Sequence, residues 1–322
     1  MSQQNGVLTS SQLIADVKRK AMIPTNQSTF QDQDFLDIAN SELLIGLLPS
    51  ILKVHEEYYV WNDPQAFTAN QSSYPIPYRA VGQRLRDLMY TDNNGNYRNM
   101  ARVSPDDKDI FQQSYVATQF LFFYVQGNNY TLIPAVGPTP PGSLQTTYYM
   151  RPNALVTEDR VATIKNITVN TVTNLTTYTV DQIPSGYSTT VLFDLLQTRP
   201  GHQLIDYDLT PTEVNTTNLT ITFPTDPRMQ SVIVGDYVAF AGECIIPQCP
   251  PELHSVLVQR VIARVLDALG DAQGLNNANV KLQEMEQKTL QIITDRVEGA
   301  PIKVTNRRGL LRSGKMFRRW YT

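Results

Sequence analysis

The sequence predicts an α+β protein. N-terminal helices and a C-terminal helix pair form a helical bundle, a large antiparallel β domain is inserted between them, and an extended basic arm follows. Three observations carry this reading. Apolar residues recur every three or four positions in residues 10–54 and again in 251–297. Between those stretches the helical period fades, and short alternating runs broken by Gly, Pro and Asn take over. From Lys303 onward the chain carries seven Lys or Arg and no Asp or Glu. The expected organisation is N-terminal helices in 1–60, a β sandwich or barrel in 61–245, the helix pair in 246–299 and the arm in 300–322.

The first element opens at Thr9-x-x-Gln12, which has capping-box spacing, and runs to about Met22 with Leu13, Ile14, Val17 and Ala21 on its apolar side. Pro24 ends it. Thr29-x-x-Asp32 marks a second start. Leu36, Ala39, Leu43, Leu47, Ile51 and Val54 then form a stripe, and Leu44, Leu48 and Leu52 widen it, as in a helix packed on more than one neighbour. Pro49 lies inside this pattern and is expected to kink it.

In the β region, Phe122 and Tyr124, then Gly127-Asn128-Asn129, then Tyr130 and Leu132 read as a hairpin. Residues 163–169 alternate apolar and polar, like a half-exposed strand. Further strands are expected at 177–180, 191–195, 219–223 and 237–240. The run Ala80-Val81-Gly82-Gln83-Arg84-Leu85-Arg86-Asp87-Leu88 reads as a helical turn interrupting them.

Helices return at Pro250-Pro251-Glu252, where proline suits a first turn and the acid meets the positive helix end. Leu253, Leu257, Val261, Val265 and Leu269 form one stripe; Val256, Val258, Ile262 and Leu266 form another. A helix apolar over most of its circumference is expected to be central. Gly270-Asp271 and Gly274 mark a bend. The next helix carries Leu275, Ala278, Leu282, Met285, Thr289, Ile292 and Val297 on one side, and Glu284 and Lys288 at a supportive spacing on the other.

Signals for chemistry are sparse. His55, His202 and His254 are far apart, and neither a Gly-x-Ser-x-Gly elbow nor a phosphate-binding Gly-x-x-x-x-Gly-Lys-Ser/Thr loop occurs. Ser104-Pro105-Asp106-Asp107-Lys108-Asp109 clusters carboxylates without the Ca²⁺-loop pattern and reads as a capped turn. Cys244 and Cys249 are the only cysteines, without the further ligands of a zinc site, so buried thiols of a reducing compartment are expected. The opening Met1–Gly6 lacks the features of a secretory leader, and no apolar run approaches the ~20 residues of a membrane span. The expectation is a protein made in the cytoplasm, with no membrane partner, catalytic residue, metal or cofactor.

Charge placement is more informative. Residues 1–302 hold 20 Lys and Arg against 30 Asp and Glu and so carry −10, while the arm carries +7. Lys303, Arg307, Arg308, Arg312, Lys315, Arg318 and Arg319 are interspersed with Val304, Leu310, Leu311, Met316, Phe317, Trp320 and Tyr321. Neutralising phosphate needs only the charges; the large apolar side chains point to burial in pockets of a protein partner. Other readings are a solubilising tail, or a nucleic-acid-binding protein using this tail. A third is a tail-accessory β protein that binds or hydrolyses glycans, whose paired carboxylates need not be close in sequence.

The segments Phe35-Leu36-Asp37-Ile38-Ala39-Asn40-Ser41-Glu42-Leu43, Tyr74-Pro75-Ile76-Pro77-Tyr78-Arg79-Ala80-Val81-Gly82 and Ala268-Leu269-Gly270-Asp271 resemble those of tailed-bacteriophage virion proteins. So do Arg296-Val297-Glu298-Gly299-Ala300-Pro301, Asn306-Arg307-Arg308 and Leu310-Leu311-Arg312. As an arrangement of elements the likeness covers nearly the whole chain, and it is closest to the head-to-tail adaptor (connector) proteins of the neck. That resemblance implies a structural virion protein between capsid portal and tail. It implies a ring, usually of twelve neighbouring adaptor subunits, whose partners are the portal protein, a tail or nozzle protein and the genomic DNA passing through its lumen. It assigns portal docking to Lys303, Arg307, Arg308, Leu310, Leu311, Arg312, Lys315, Phe317, Arg318, Arg319, Trp320 and Tyr321. It assigns the ring interface to the helix bearing Leu253, Val256, Leu257, Val261, Val265 and Leu269. The β region is larger than in minimal adaptors.

Overall fold

A computed structural model describes residues 8–23, 29–92, 94–109, 122–137, 142–199 and 204–293. Helix α1 (Ser10–Lys20) starts as expected: Thr9 Oγ1 accepts from the Gln12 N–H, and Gln12 Oε1 accepts from the Thr9 N–H, satisfying two donors the helix leaves unpaired. Helix α2 (Asp32–Ser41) starts later than Thr29. Gln31 caps it, donating its backbone N–H to Asp34 Oδ2 at 2.7 Å. The helix continues through a π segment, Glu42–Leu47, into α3 (Leu48–Val54). The Leu48 N–H reaches back five residues to the Leu43 carbonyl, so the widened turn comes just before Pro49, which has no N–H to give.

By length and mean hydropathy alone, the helical stretch Asp32–Val54 is long and apolar enough for a membrane span, although Asp34, Asp37 and Glu42 interrupt its apolar run. Of its most apolar window, 44% is buried within this fold, where Leu36, Leu43, Leu47 and Ile51 pack into the core.

The C-terminal pair is α4 (His254–Leu269) and α5 (Ala272–Ile292). Gly270 adopts the left-handed conformation at the end of α4 (φ 73°), which suits a residue without a Cβ. Asp271 then caps α5 by accepting from the Gly274 N–H at 2.9 Å. Helix α4 packs on α1, α2 and α5 and so joins the two ends of the chain. Leu253, Val256, Leu257, Val261 and Val265 are all 0% exposed. Each such side chain contributes about 1.5–3 kcal/mol relative to exposure, which makes α4 the centre of the bundle. Helix α5 fully buries only Ala278; Leu275, Leu282 and Met285 are half-buried.

The intervening strands are β1 (Val60–Ala66), β2 (Ser73–Pro75), β3 (Ala80–Thr91), β4 (Tyr97–Asn99), β5 (Ala101–Arg102), β6 (Phe122–Gln126), β7 (Asn129–Ile133), β8 (Ser143–Met150) and β9 (Ala154–Leu155). After them come β10 (Ala162–Asn170), β11 (Leu175–Val180), β12 (Phe193–Leu196), β13 (Leu204–Leu209), β14 (Glu213–Asn215), β15 (Thr220–Pro224), β16 (Tyr237–Phe240) and β17 (Glu243–Cys244). They form sheets of order β1-β8-β3-β4, β2-β7-β6-β5 and β13-β12-β16-β10-β11-β15-β14, plus the short parallel pair β17-β9. Pairing is antiparallel except in β5/β6 and β9/β17. The expected hairpin is β6/β7, closed by Gly127 and Asn128 between the paired residues Gln126 and Asn129.

One expectation is overturned. Ala80–Leu88 is not a helical turn but the first part of β3. Gly82 and Gln83 both have left-handed φ (60° and 51°), which stops a right-handed helix, and the segment pairs with β8 at Ala80 and again from Leu85. Apolar residues three apart, Leu85 and Leu88, imitate a helix because a bulge shifts the strand register.

Two cores result. The first combines α1–α4 with side chains from β2, β3, β6, β7 and β8, including Tyr74, Tyr90, Tyr130 and Tyr148. The second belongs to the seven-stranded sheet and is built on Tyr178, Phe193, Ile221, Phe223 and Val238.

Candidate functional site

Arg79 sits where the two cores meet, immediately before β3, and is 5% exposed. Its guanidinium grips Asp194 of β12 with two hydrogen bonds, Nη1 to Oδ2 at 2.8 Å and Nη2 to Oδ1 at 2.9 Å. Nη2 also donates to Asp208 Oδ1 at 2.8 Å, and Nη1 to Asn153 Oδ1 at 3.2 Å. Asn153 Nδ2 donates to Asp194 Oδ2, as does the Gly242 N–H, and the Asp208 N–H donates to Oδ1. The Tyr78 hydroxyl donates to Asp208, and the Tyr207 ring lies 5.1 Å from the guanidinium carbon. Although burial opposes its charge, Asp194 and its neighbours raise the Arg79 pKa above the ordinary value. The group is a permanent cation with its donors occupied, which suits a clamp and not proton transfer. A cavity of about 250 Å³ opens beside it, lined partly by Leu43, Leu44, Tyr78 and Ala154.

A second charged centre ties the π segment that follows α2 to the C-terminal pair. Glu42, 6% exposed, accepts from Arg260 Nη1 at 2.9 Å and from Arg264 Nε at 2.6 Å. Burial pushes its carboxyl up, but the two arginines outweigh this and hold it below the ordinary carboxylate range. Arg260 Nη2 continues to Glu286 of α5 at 2.5 Å. Gly46 makes room for this arrangement, since a Cβ there would lie 2.2 Å from Arg260 Nη1.

Among the ring-interface residues assigned from sequence, Leu253, Val256, Leu257, Val261 and Val265 are spent inside the chain's own core. Leu269 alone of that set reaches the surface, at 48% exposure. Other exposed apolar side chains lie on the π segment (Ile45) and on α5 (Val280 and Ile292). The docking-arm residues Lys303, Arg307, Arg308, Leu310, Leu311, Arg312, Lys315, Phe317, Arg318, Arg319, Trp320 and Tyr321 lie outside the described residues, as does His202.

His254 is buried: Nδ1 accepts from the Leu8 N–H at 3.3 Å and Nε2 faces the Pro247 carbonyl at 3.2 Å. Cys244 and Cys249 are free, buried thiols, and burial pushes both pKa values up, away from reactivity. Ser104 caps a 3₁₀ turn at Pro105–Asp107. Among the described residues, no group of three or more His, Cys, Asp and Glu is placed to hold a metal ion.

Sequence reading missed the Arg79 centre, whose members lie 115 and 129 residues from Arg79 along the chain. The one local signal is Asp194 itself, an acid inside the buried run Phe193–Leu196. A buried charge of that kind needs a partner from elsewhere in the fold. Neither the profiles of known protein families nor the sequences of curated proteins match this chain. The class its fold defines is a mixed α+β protein with terminal helices enclosing several antiparallel sheets.

Proposed function

We propose that this chain is a structural protein of a tailed-phage virion: a head-to-tail adaptor forming a ring, twelvefold as in that family, beneath the portal. Its C-terminal arm docks in the portal, neighbouring copies close the ring, and the assembly gives a tail or nozzle protein its platform around the DNA channel. The observation that carries this reading is the α4–α5 hairpin. Helix α4 is anchored on α1, α2 and α5, whereas the 21-residue α5 buries one narrow side and ends at Ile292, just before the segment that leads to the basic arm. A firmly rooted helix with an open flank is suited to holding a neighbour and carrying an arm toward another ring. Repetition around a ring makes weak individual arms hold collectively. The buried charges favour the same reading, because Arg79 and Glu42 join parts of the chain and are used up in doing so.

The test compares the full chain with a version truncated after Gly299. The truncated chain is expected to keep its helix content by circular dichroism and to lose co-sedimentation with portal-bearing capsids. Attachment equal to that of the full chain overturns the proposal. Salt-sensitive retention of plain DNA that disappears with the arm, without capsid attachment by the full chain, would instead favour nucleic-acid binding.

A further inference from the structure

A cleft of about 570 Å³ lies between the sheet containing β3 and the sheet containing β5 and β6. Every residue from Gln83 to Leu88 lines it. Side chains of a strand alternate between faces, so a cleft touching six in succession follows the strand's edge. That edge is open among the described residues. β8 occupies one side of β3; on the other, β4 pairs with Met89, Tyr90 and Thr91 and the Met100 N–H takes the Leu88 carbonyl at 2.9 Å, so the free stretch is Gln83–Asp87. The left-handed backbone at Gly82 and Gln83 bends the strand at the start of this free stretch. The floor is apolar, with Leu88, Met100 and Phe123 all under 8% exposed. The rim carries three arginines and one exposed carboxylate, Asp87. Arg86 is neutralised by Glu57, with Nη2 at 2.7 Å from Oε1, and its Nε lies 3.6 Å from Asp87, but Arg84 and Arg102 are exposed and make no ion pair with any described residue.

We infer that this cleft is a docking site for an extended acidic peptide of a partner protein, added as a strand along the free edge of β3. Its carboxylates face Arg84 and Arg102, and apolar side chains at alternate positions rest on Leu88, Met100 and Phe123. Charge complementarity excludes the chain's own basic arm as the occupant. A nucleic acid is disfavoured because two unpaired cations neutralise few phosphates, while a strand edge and an apolar floor offer a phosphate backbone nothing.

The probe is a fluorescein-labelled nonapeptide alternating glutamate and valine, titrated into the full-length chain and followed by anisotropy. Saturable binding is expected. It should weaken at least about tenfold when Arg84→Glu and Arg102→Glu are combined, with unchanged circular dichroism and thermal midpoint. The milder pair Arg84→Gln and Arg102→Gln should weaken it to a smaller degree. A peptide whose central valine is replaced by proline should not bind, because proline cannot complete the ladder. Absence of saturable binding, undiminished binding by the charge-reversed chain, or equal competition by a thymidine oligonucleotide each overturns the inference.

Discussion

Arg79 and Asp194 face each other through two parallel hydrogen bonds of 2.8 and 2.9 Å, with neither side chain more than 5% exposed. The pair belongs to neither core alone. Arg79 leads into β3, which shares the helices' core, and Asp194 lies in β12 of the seven-stranded sheet. A charge at such a junction is retained only with full compensation, and Asn153, Asp208 and Gly242 complete it.

Asp194→Ala is therefore expected to cost about 3–5 kcal/mol, because it takes the two-bonded carboxylate from a buried guanidinium, which keeps only Asp208 as a charged partner, and leaves the Gly242 and Asp208 N–H groups without their acceptor. Urea denaturation of the full chain measures it. Combining Arg79→Met with Asp194→Leu should cost less than the sum of the two single changes, since the buried cation and its main carboxylate leave together and only the partly exposed Asp208 loses a partner.

The role of Gly46 is spatial. Gly46→Ala places a methyl 2.2 Å from Arg260 Nη1 and forces the guanidinium off Glu42 and Glu286. The expected loss is about 1–3 kcal/mol. In an Arg260→Ala background the same substitution should become neutral or stabilising, because alanine favours helix over glycine by about 1 kcal/mol. Unfolding midpoints of the four chains in this cycle decide it. Equal costs in both backgrounds would contradict the steric account.

Folding is expected to weaken on mild acidification through His254. Burial lowers its pKa below the ordinary 6.5, while the Pro247 and Cys249 carbonyls and Glu252 act in the opposite direction. A folded-state value below the unfolded one means that the unfolded chain binds more protons. The contribution is thus complete above pH 6.5 and declines as the pH falls toward the folded value. Protonation also puts a second N–H against the Leu8 N–H. Stability measured from pH 7.5 to 5 should fall in the wild type and fall less in His254→Gln. An unchanged slope would remove His254 from the account.

The helices were legible because their signals are local. Thr9 and Gln12 are three residues apart, and the spacing from Leu253 to Val265 repeats once per turn. Strands with clear alternation, such as Ala162–Asn170, were legible for the same reason. Ala80–Leu88 was misread because its local spacing imitates a helix, while its strand character comes from a distant partner, β8.

By itself, then, the sequence determined the α+β class, the helical ends, the places of seven of the seventeen described strands and the uneven charge between body and arm. Each of these follows from neighbours a few residues apart. Only the tertiary structure decided that Arg79 answers Asp194, that Glu42 binds the π segment to α4, and that most of the apolar surface of α4 is consumed within one chain. Those relations depend on which distant segments share a low-dielectric interior. There an unpaired charge is too costly to persist, and an apolar face goes to whichever partner reaches it.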